Sequence, residues 1–514
     1  MSGQGQFADL VNATLSGFIG DAAIDVAVTR LLRRRVQVGD LDIPPTADPY
    51  HATPFSVVDS AAHRAFARKL VAEGAVLLHN APGSALPLRR GGSYLVVGPS
   101  ADDISVQAHT YHGTPWRYIS VLQGLREVGG ASSRWQYACG LSPCSRTDAD
   151  ATVVQSVVEA ARADDVDGVV FVGGLQASLE EEGTDRVESI ALPGSQLALI
   201  RALHAVGKPM AALTIHGGPV AEPLLASAPR LAWVWCSYFG QDGRGLADVL
   251  LGDAPFSGAL PFTIPQRAAD FGDIGNYSMR APPYGRTYRY WRPTVAAAVE
   301  VEKEGQAGGG AAVAATAAPQ LDEPAPDMLD MQGLPLYPFG FGLSLAPLTF
   351  EQLQLESSQG GLYCAAGEVC VTPRNDSVTA TVVVSNGSPT RDGAAVVPLF
   401  GSFLRPGGAP SAVGALPVRQ LLAFTKLAVP AGSSAKATLR FNVSSLAGAL
   451  RQAWPGVLAC WVGHGLALNP DVSAAPGSSP SHVGSAGEGA QPLFANLSLV
   501  LPMTQEPSDC RACS

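Results

Sequence analysis

Apolar runs of strand length alternate with helical patterns from about residue 50 onward. The strand-like runs are EGAVLLHN, SYLVVGPSA, VDGVVFVGG, PMAALTIHG and RLAWVWCSYFG. Helix-like runs such as ATVVQSVVEAARA, SQLALIRALHAVG and GRGLADVLLGD lie among them. Because the strand-like runs are apolar on both faces and helices of ten or more residues connect several of them, the pattern predicts an open, mostly parallel, doubly wound α/β sheet.

The period of the pattern becomes two from about residue 348. The runs DSVTATVVVSNGS, AAVVPLFGSF, VRQLLAFTKLAV, SSAKATLRFNVSSL and GVLACWVGHG have strand length, and turns rich in Gly, Pro, Ser and Asn separate them. This spacing is typical of an all-β sandwich, which we place at residues 348–470. Residues 471–514 form a Ser/Pro/Gly-rich tail in which LFANLSLVLPM could be a last strand.

Two further segments have patterns of their own. Residues 1–45 contain FIGDAAIDVAVTRLLRRRVQVG, whose apolar residues recur at helical spacing before a glycine stop. Residues 293–330 are rich in Ala, Gly and Pro and lack a sustained apolar stripe, which predicts a disordered insertion. The α/β region is therefore expected at residues 46–347, with the insertion inside it.

Charge and hydropathy argue against two classes of protein. The net charge of -10 is opposite to the basic face that nucleic-acid binding needs. No uninterrupted apolar stretch reaches about 18 residues, so we expect no membrane span. The N-terminal residues also lack the basic segment and apolar core of a signal peptide.

Cysteine usage nevertheless favours an oxidising compartment. Two pairs are close in sequence, Cys139 with Cys144 and Cys364 with Cys370, and each is a candidate local disulfide. Glycosylation sequons begin at Asn12, Asn276, Asn375, Asn386, Asn442 and Asn496. Together these features favour an extracellular or cell-wall glycoprotein, whose N-terminus in this sequence is then not the natural one.

Motifs of several other classes are incomplete. FGQDGRGLADVL has its glycines in the order G-x-x-G-x-G, which is not the dinucleotide fingerprint, and no G-x-x-x-x-G-K-[ST] pattern occurs. IHGGPV resembles an esterase oxyanion loop, but the G-x-S-x-G elbow is missing. The histidines form no metal-binding motif, and the terminal CRAC has no second Cys/His pair at zinc spacing. We therefore expect neither a cofactor nor a metal.

The stretch SLEEEGTDR, residues 178–186, is the candidate for acid–base chemistry. It follows a predicted strand, and open α/β sheets bind ligands beyond their strand ends. A carboxyl there can protonate a leaving oxygen if its pKa is raised, as neighbouring glutamates would do, whereas Arg186 would lower that pKa. Composition and spacing alone favour a solvated loop.

A series of longer motifs resembles glycoside hydrolase family three. SLEEEGTDR followed by IALPGSQLALI is similar to the signature E-x-E-G-x-D-R and L-P-G-x-Q-x-x-L-I, and GGPVAEPLLAS, SYFGQDGRGLADVLLGDAPFSGALPFTIP and LYPFGFGLSLAPLTF follow in order. ARKLVAEGAVLLHNAPGSALPL, YLVVGPSADD and TYHGTPWRYISVLQGL match upstream, so the resemblance covers about residues 10–465. YSMR, GRTYRYW and the Cys139/Cys144 pair resemble the plant and fungal β-xylosidase/α-L-arabinofuranosidase branch more than the β-glucosidases.

The resemblance implies a fold and residue roles. In the family, an N-terminal (β/α)8 barrel supplies a nucleophilic Asp, a flavodoxin-like α/β sandwich supplies the acid/base Glu, and a fibronectin type III-like sandwich follows. Carried over, Glu182 is the acid/base, Glu180 supports the site or binds sugar, and Asp185 and Arg186 shape the loop. The implied activity is that of a retaining exo-glycosidase in xylan and arabinan breakdown, acting on xylo- or arabino-oligosaccharides.

The chain departs from the family at its N-terminus. A barrel takes at least about 200 residues, whereas about 45 residues precede the α/β region and resemble the barrel's last helix and its linker. The family's nucleophile motif has one match, Ser508–Cys510, which lies on the polar tail without a preceding strand. We therefore expect no nucleophile here and a fragment with little activity. The alternative is a non-catalytic carbohydrate-binding or interaction protein, and a β-glucosidase is less expected.

Overall fold

The computed structural model describes residues 9–41, 52–139, 151–292, 333–358, 377–404, 417–442, 457–463 and 497–500, with residues 44, 47 and 50, and without positions 109, 111, 178, 185, 187 and 282. The chain divides into two compact units, residues 1–65 and 66–514. The predicted insertion at residues 293–330 and the sequence Ser508–Cys510 lie outside the described residues.

The described part of the first unit is mainly helical. Helix α1 spans Leu10–Leu15, helix α2 spans Asp21–Gln37, and a 3₁₀ turn spans Phe55–Val57. The helix predicted from FIGDAAIDVAVTRLLRRRVQVG is confirmed by α2. Neither α1 nor α2 buries any of its residues. That these residues end a barrel stays a prediction.

A six-stranded sheet lies at the centre of the α/β region in the second unit. Its strands are β1 (Val76–Asn80), β2 (Ser93–Val97), β3 (Arg134–Ala138), β4 (Gly168–Gly174), β5 (Met210–Ile215) and β6 (Leu231–Cys236). The order across the sheet is β1-β6-β5-β4-β2-β3, with β1 antiparallel to β6 and all other neighbours parallel. The predicted mostly parallel α/β fold is confirmed.

Helices cover both faces of this sheet. The helices of this region are α3 (Ala61–Gly74), α4 (Ser105–Ala108), α5 (Val121–Gly129), α6 (Ala151–Arg162), α7 (Gln196–His204), α8 (Pro223–Ser227), α9 (Arg244–Leu251) and α10 (Thr287–Tyr290), with a 3₁₀ turn at Ala268–Phe271. Successive strand residues point to opposite faces. Val170 accordingly packs in one core with residues of α5 and α9, whereas Phe171 packs in the other with residues of α6, α7 and α8. This two-sided burial explains the uninterrupted apolar runs of the strands.

Two antiparallel sheets follow the α/β region. Their strands are β7 (Leu348–Ser357), β8 (Ser377–Asn386), β9 (Gly393–Leu404), β10 (Gln420–Val429), β11 (Ser434–Asn442), β12 (Val457–Val462) and β13 (Leu497–Val500), in the orders β10-β9-β12-β13 and β11-β8-β7. Every second residue of β8 is buried, as the period of two predicts. Residues of both sheets share one core, which includes Val382 and Leu399. The predicted β-sandwich is confirmed.

The described cysteines comprise one bonded and two free residues. Cys139 is disulfide-bonded, and its predicted partner Cys144 lies outside the described residues. Cys236 and Cys460 are free, and burial raises the pKa of each thiol to about 12. Such thiols are inert packing groups at neutral pH. The predicted pair Cys364 and Cys370 also lies outside the described residues.

Candidate active site

The candidate acid–base loop begins where the strand order of the α/β sheet reverses. The chain places β3 on one side of β2 and then crosses to β4 on the other side, from which β5 and β6 continue outward. Open α/β sheets bind ligands outside the carboxyl ends of the strands at such a point. Strand β4 ends at Gly174, and the segment with Glu180 and Glu182 follows it. The prediction that SLEEEGTDR follows a strand is therefore confirmed.

Two glycines allow the strand ends at this point to approach each other closely. Gly174 has a φ of +129°, and a Cβ added there would overlap the carbonyl oxygen of Ile215 in β5. Gly98 directly after β2 has a φ of +117°, and its added Cβ would overlap the carbonyl oxygen of Val172 in β4. No other residue fits these positions without strain. The close packing of the backbones at these strand ends therefore fixes the edge of the sheet at which the loop begins.

Glu180 is held by donors from two segments. Its Oε1 accepts a hydrogen bond from the N–H of Gly218 at 3.1 Å, and its Oε2 accepts one from Nε of Arg186 at 2.9 Å. The Glu180 and Arg186 side chains are only 23% and 12% exposed, so this charge-assisted pair is partly shielded from water. Both carboxylate oxygens of Glu180 thus contribute to the structure of the loop.

Arg186 ties the loop after β4 to the segment after β5. Its Nη2 donates to the carbonyl oxygen of Pro219 at 2.8 Å, and its Nη1 donates to that of Ala191 at 3.1 Å. Together with the bond to Glu180, these contacts join three backbone segments through one side chain. Asp185, which was predicted to help shape the same loop, lies outside the described residues.

Glu182 occupies the corner of a tight turn. Glu181 and Thr184 are joined by two backbone hydrogen bonds, with N–O distances of 3.2 and 2.9 Å. Gly183, at the third position of this four-residue turn, has a φ of +85°, as a type II turn requires. Glu182 precedes it and is exposed. The turn therefore presents the Glu182 carboxyl to the solvent.

A buried histidine supports the segment that holds Glu180. Nδ1 of His216 lies 2.7 Å from the carbonyl oxygen of Gly218, and Nε2 lies 3.2 Å from Oγ1 of Thr214. A carbonyl oxygen can only accept, so Nδ1 carries the imidazole proton, and the Thr214 hydroxyl, which accepts from Nε1 of Trp233 at 2.9 Å, donates to Nε2. Burial lowers the pKa of His216 to about 3. The ring is therefore neutral at physiological pH and holds Gly218 in place.

The segment after β2 contributes buried polar atoms at the same edge of the sheet. Oγ of Ser100 and Oε1 of Gln107 are buried and have no hydrogen-bond partner among the described residues. Nε2 of Gln107 donates to the carbonyl oxygen of Ile119 at 3.1 Å, which fixes the orientation of its amide. Buried polar atoms are normally paired, so both are candidates for contact with a ligand or water. The sequence does not reveal them because an isolated Ser or Gln carries no motif.

A metal ion and a nucleophile are two further groups that a catalytic site could contain. Within the described ranges, no group of three or more His, Cys, Asp or Glu side chains is placed to hold a metal ion. The one match to the nucleophile motif, Ser508–Cys510, is outside those ranges. The geometry thus brings together Glu180 and Arg186, with Glu182 on the same loop.

A family comparison decides the classification of the α/β region. Residues 75–345 match the model of the glycosyl hydrolase family 3 C-terminal domain. The chain belongs to glycosyl hydrolase family 3. The match includes all six strands of the α/β sheet and the loop with Glu180, Glu182 and Arg186. The resemblance inferred from the sequence motifs is confirmed.

Proteins with xylosidase and arabinofuranosidase names are among those similar to the chain. A protein of Aspergillus fumigatus named "Probable exo-1,4-beta-xylosidase" is 33% identical over 298 residues, which are 57% of this chain and 36% of that protein. The "Beta-xylosidase/alpha-L-arabinofuranosidase 2" of Medicago sativa subsp. varia is 32% identical over 290 residues, 54% of this chain and 36% of that protein. The chain therefore matches little more than a third of the length of these relatives.

Solved family 3 structures share the fold. An exo-β-xylosidase bound to a xylobiose aziridine probe superimposes with a TM-score of 0.65 at 24% identity, covering 88% of this chain and 53% of that one. A β-glucosidase from Listeria innocua bound to isofagomine gives 0.62 at 22% identity, covering 96% and 57%. At these identities the likeness supports the fold and does not distinguish the substrate.

Proposed function

We propose that Glu182 is the general acid/base of a retaining exo-glycosidase site whose substrates are xylo- or arabino-oligosaccharides. The observation that carries this proposal is the position of Glu182 at an exposed turn, on a loop that departs from the strand-order reversal and is held by Glu180 and Arg186. A carboxyl in this place is accessible to a glycosidic oxygen, while the backbone that carries it is restrained.

The retaining mechanism assigns Glu182 two proton transfers. A second carboxyl about 5–5.5 Å away attacks the anomeric carbon while Glu182 gives its proton to the leaving oxygen. Glu182 then takes a proton from the water that hydrolyses the glycosyl–enzyme bond. By resemblance to the family, the second carboxyl is an Asp of a barrel. A sugar and a protein surface that cover the turn would exclude bulk water from these proton transfers.

Glu180, Asp185 and Arg186 are proposed to position this acid. The contacts of Glu180 with Gly218 and Arg186 support a positioning role more directly than sugar binding, although a sugar hydroxyl could still donate to the exposed part of its carboxylate. Asp185 receives its role by resemblance alone.

The relatives' names support the substrate class. The similar proteins of Aspergillus and Medicago carry xylosidase and arabinofuranosidase names, and β-glucosidases share the fold. β-D-Xylosides and α-L-arabinofuranosides are therefore the first substrates to test, and β-D-glucosides are the comparison.

Domain boundaries form part of the proposal. We place the end of a barrel and a linker at residues 1–45, the α/β sandwich at 46–347, a fibronectin type III-like sandwich at 348–470 and a tail at 471–514. The end of the family match at residue 345 and the start of β7 at Leu348 support the second boundary.

An extracellular or cell-wall location is proposed from the disulfide chemistry. Cys139 is disulfide-bonded, which is typical of oxidising compartments. No helix in the described parts of the chain has the length and apolarity to cross a membrane.

The sequons differ in accessibility. Asn12 and Asn442 are exposed, whereas Asn386 is 4% exposed and its Nδ2 donates to the carbonyl oxygens of Arg391 and Val429. Glycosylation at Asn386 would therefore disrupt the folded sandwich.

A chimera tests the acid/base assignment. Residues 75–345 replace the matching segment of the Aspergillus fumigatus relative, whose remaining chain supplies the other residues. We expect hydrolysis of xylobiose, and we expect Glu182→Gln to lower kcat by about 10²–10⁴-fold. A dinitrophenyl xyloside needs no proton for its leaving group, so azide should rescue its turnover in Glu182→Gln and yield xylosyl azide. Glu181→Gln in the same turn is the matched control and should keep full activity.

The 514-residue chain is assayed beside the chimera. Two results together would contradict the acid/base proposal: the chain binds xylotriose without turnover, and Glu182→Gln leaves the activity of the chimera unchanged. This combination would support the carbohydrate-binding alternative. Faster cleavage of the β-D-glucoside than of the xyloside and arabinofuranoside would contradict the proposed substrate class.

A further inference from the structure

A cluster of arginines lies where the α10 segment meets the beginning of β10. Residues 280–292 contain four arginines and no acidic residue. The N–H of Val418 donates to the carbonyl oxygen of Arg289 at 2.7 Å, and the N–H of Leu421 donates to Oη of Tyr288 at 3.2 Å. The Tyr288 ring also stacks on Phe339 with a centroid distance of 4.1 Å. The two segments are therefore firmly packed against each other.

Arg419 is buried in this contact, and the described residues supply no counter-ion for it. Its side chain is 4% exposed, and its guanidinium has no hydrogen bond or ion pair among the described residues. Burial and the charge of Arg292 lower the pKa of Arg419 to about 10, so the guanidinium is still protonated at neutral pH. A buried cation that faces only another cation is strongly unfavourable unless an anion accompanies it.

A second arginine in the contact also has an unused donor. Nε of Arg289 is buried without a partner among the described residues, while its Nη2 donates to Oε1 of Gln420 at 3.1 Å. Guanidinium groups bind carboxylate, phosphate and sulfate through paired N–H donors. We propose that Arg419, Arg289 and Arg292 form a binding site for one small oxyanion, which stabilises the contact between the α/β region and the sandwich.

The oxyanion could be free or could belong to an acidic sugar, because both present the same oxygen acceptors. The 514-residue chain is therefore titrated with phosphate, sulfate and glucuronate at constant ionic strength, with chloride as the reference and glucose as the neutral analogue of glucuronate. We expect saturable binding by calorimetry and a melting temperature that rises with the oxyanion. Stabilisation by all three anions indicates a general oxyanion site, and stabilisation by glucuronate alone indicates an acidic sugar.

Arg419→Met separates a binding role from a structural one. Methionine replaces the uncompensated charge by an apolar chain, so we expect the variant to lose oxyanion binding and to melt at the same or a higher temperature than the parent chain in chloride. Arg292→Met alters an exposed side chain and should fold normally while binding the oxyanion several-fold more weakly. Arg162→Met, at an exposed arginine of α6, is the control for charge loss and should bind as the parent does.

Two results would overturn the proposal. One is the absence of saturable stabilisation by any of the three oxyanions in the parent chain. The other is unchanged oxyanion binding in Arg419→Met or, if that variant does not fold, in Arg292→Met. The general salting-out effect of sulfate is expected equally in all variants and does not saturate, so it does not imitate the site.

Discussion

The loop after β4 has a fixed base and an open turn, and each uses a glutamate differently. The fixed base comprises Gly174, Glu180, Arg186 and Gly218, and both carboxylate oxygens of Glu180 accept hydrogen bonds there. The open turn comprises Glu181–Thr184, and Glu182 is exposed at its corner. Two glutamates separated by one residue thus differ because the N–H of Gly218, in the segment after β5, and Nε of Arg186 both donate to Glu180.

This difference matches what general acid catalysis requires. A catalytic carboxyl has to exchange protons with its substrate, so its oxygens cannot be committed to the protein's own donors. The backbone that carries it has to remain in place, since small displacements of a catalytic group reduce rates. A fixed base beneath an open turn meets both requirements.

The largest expected effect comes from a matched pair of glycine substitutions. Gly174→Ala should lower the free energy of unfolding by about 3 kcal/mol or more, because a Cβ there meets the backbone of Ile215 at a φ of +129°. Gly183→Ala in the open turn should cost about 1 kcal/mol, since its φ is +85° but no atom lies within 4 Å of the added Cβ. Urea unfolding measures both. Equal losses would show that the base is no more constrained than the turn.

Arg186→Met should have the next largest effect. It removes the Arg186 donor from Oε2 of Glu180 and from the carbonyl oxygens of Pro219 and Ala191, and we expect a loss of about 2–3 kcal/mol in the free energy of unfolding. The Gly218 amide should also exchange hydrogen faster, because Glu180 is released. Arg162→Met on the exposed face of α6 is the control and should change stability by less than about 0.5 kcal/mol. An unchanged exchange rate at Gly218 would argue that Arg186 does not hold the base.

His216 predicts how the stability of the fixed base depends on pH. Its pKa is about 3 in the folded chain, below the usual 6.5, so the folded state binds fewer protons between these values. Its contribution to stability is therefore full above pH 6.5 and declines as the pH falls toward 3. From pH 6.5 to 5 the loss from this residue is about 1–2 kcal/mol.

Unfolding curves of His216→Gln and His63→Gln at several pH values isolate this contribution. The buried variant loses the titrating group, so its stability should depend less on pH than that of the parent chain. The exposed control should follow the parent chain. A parent slope that His216→Gln leaves unchanged would assign the acid sensitivity to other groups.

The strands of the central sheet could be predicted because both of their faces are buried. Strand β4 is buried at every residue, so it appears in the sequence as one apolar run. Edge strand β3 was missed because it mixes exposed and buried positions and contains Arg134 and Gln136. Strand β7 was missed for a similar reason, since Glu351 and Glu356 interrupt its apolar positions.

The site was less predictable because its contacts join distant parts of the chain. Motif order singled out Glu182, but nothing local to SLEEEGTDR indicates that Gly218 donates to Glu180. The neutral state of His216 likewise arises from burial among residues of neighbouring strands. The sequon at Asn386 shows the same limit, since its side chain bonds to the carbonyl oxygen of Val429, 43 positions away.

The smallest expected effect is on the open turn itself. Glu182→Gln should change the free energy of unfolding by less than about 0.5 kcal/mol, because an exposed side chain loses little when its charge is removed. Glu180→Gln should cost about 1–2 kcal/mol, because an amide group replaces one oxygen that now accepts from Arg186 or Gly218. The two losses should add in the double variant, since neither described hydrogen bond of the Glu180 carboxylate involves Glu182. A loss in Glu182→Gln as large as in Glu180→Gln would mean that the folded protein already uses the Glu182 carboxyl, and such a carboxyl would be a poor proton donor to a substrate.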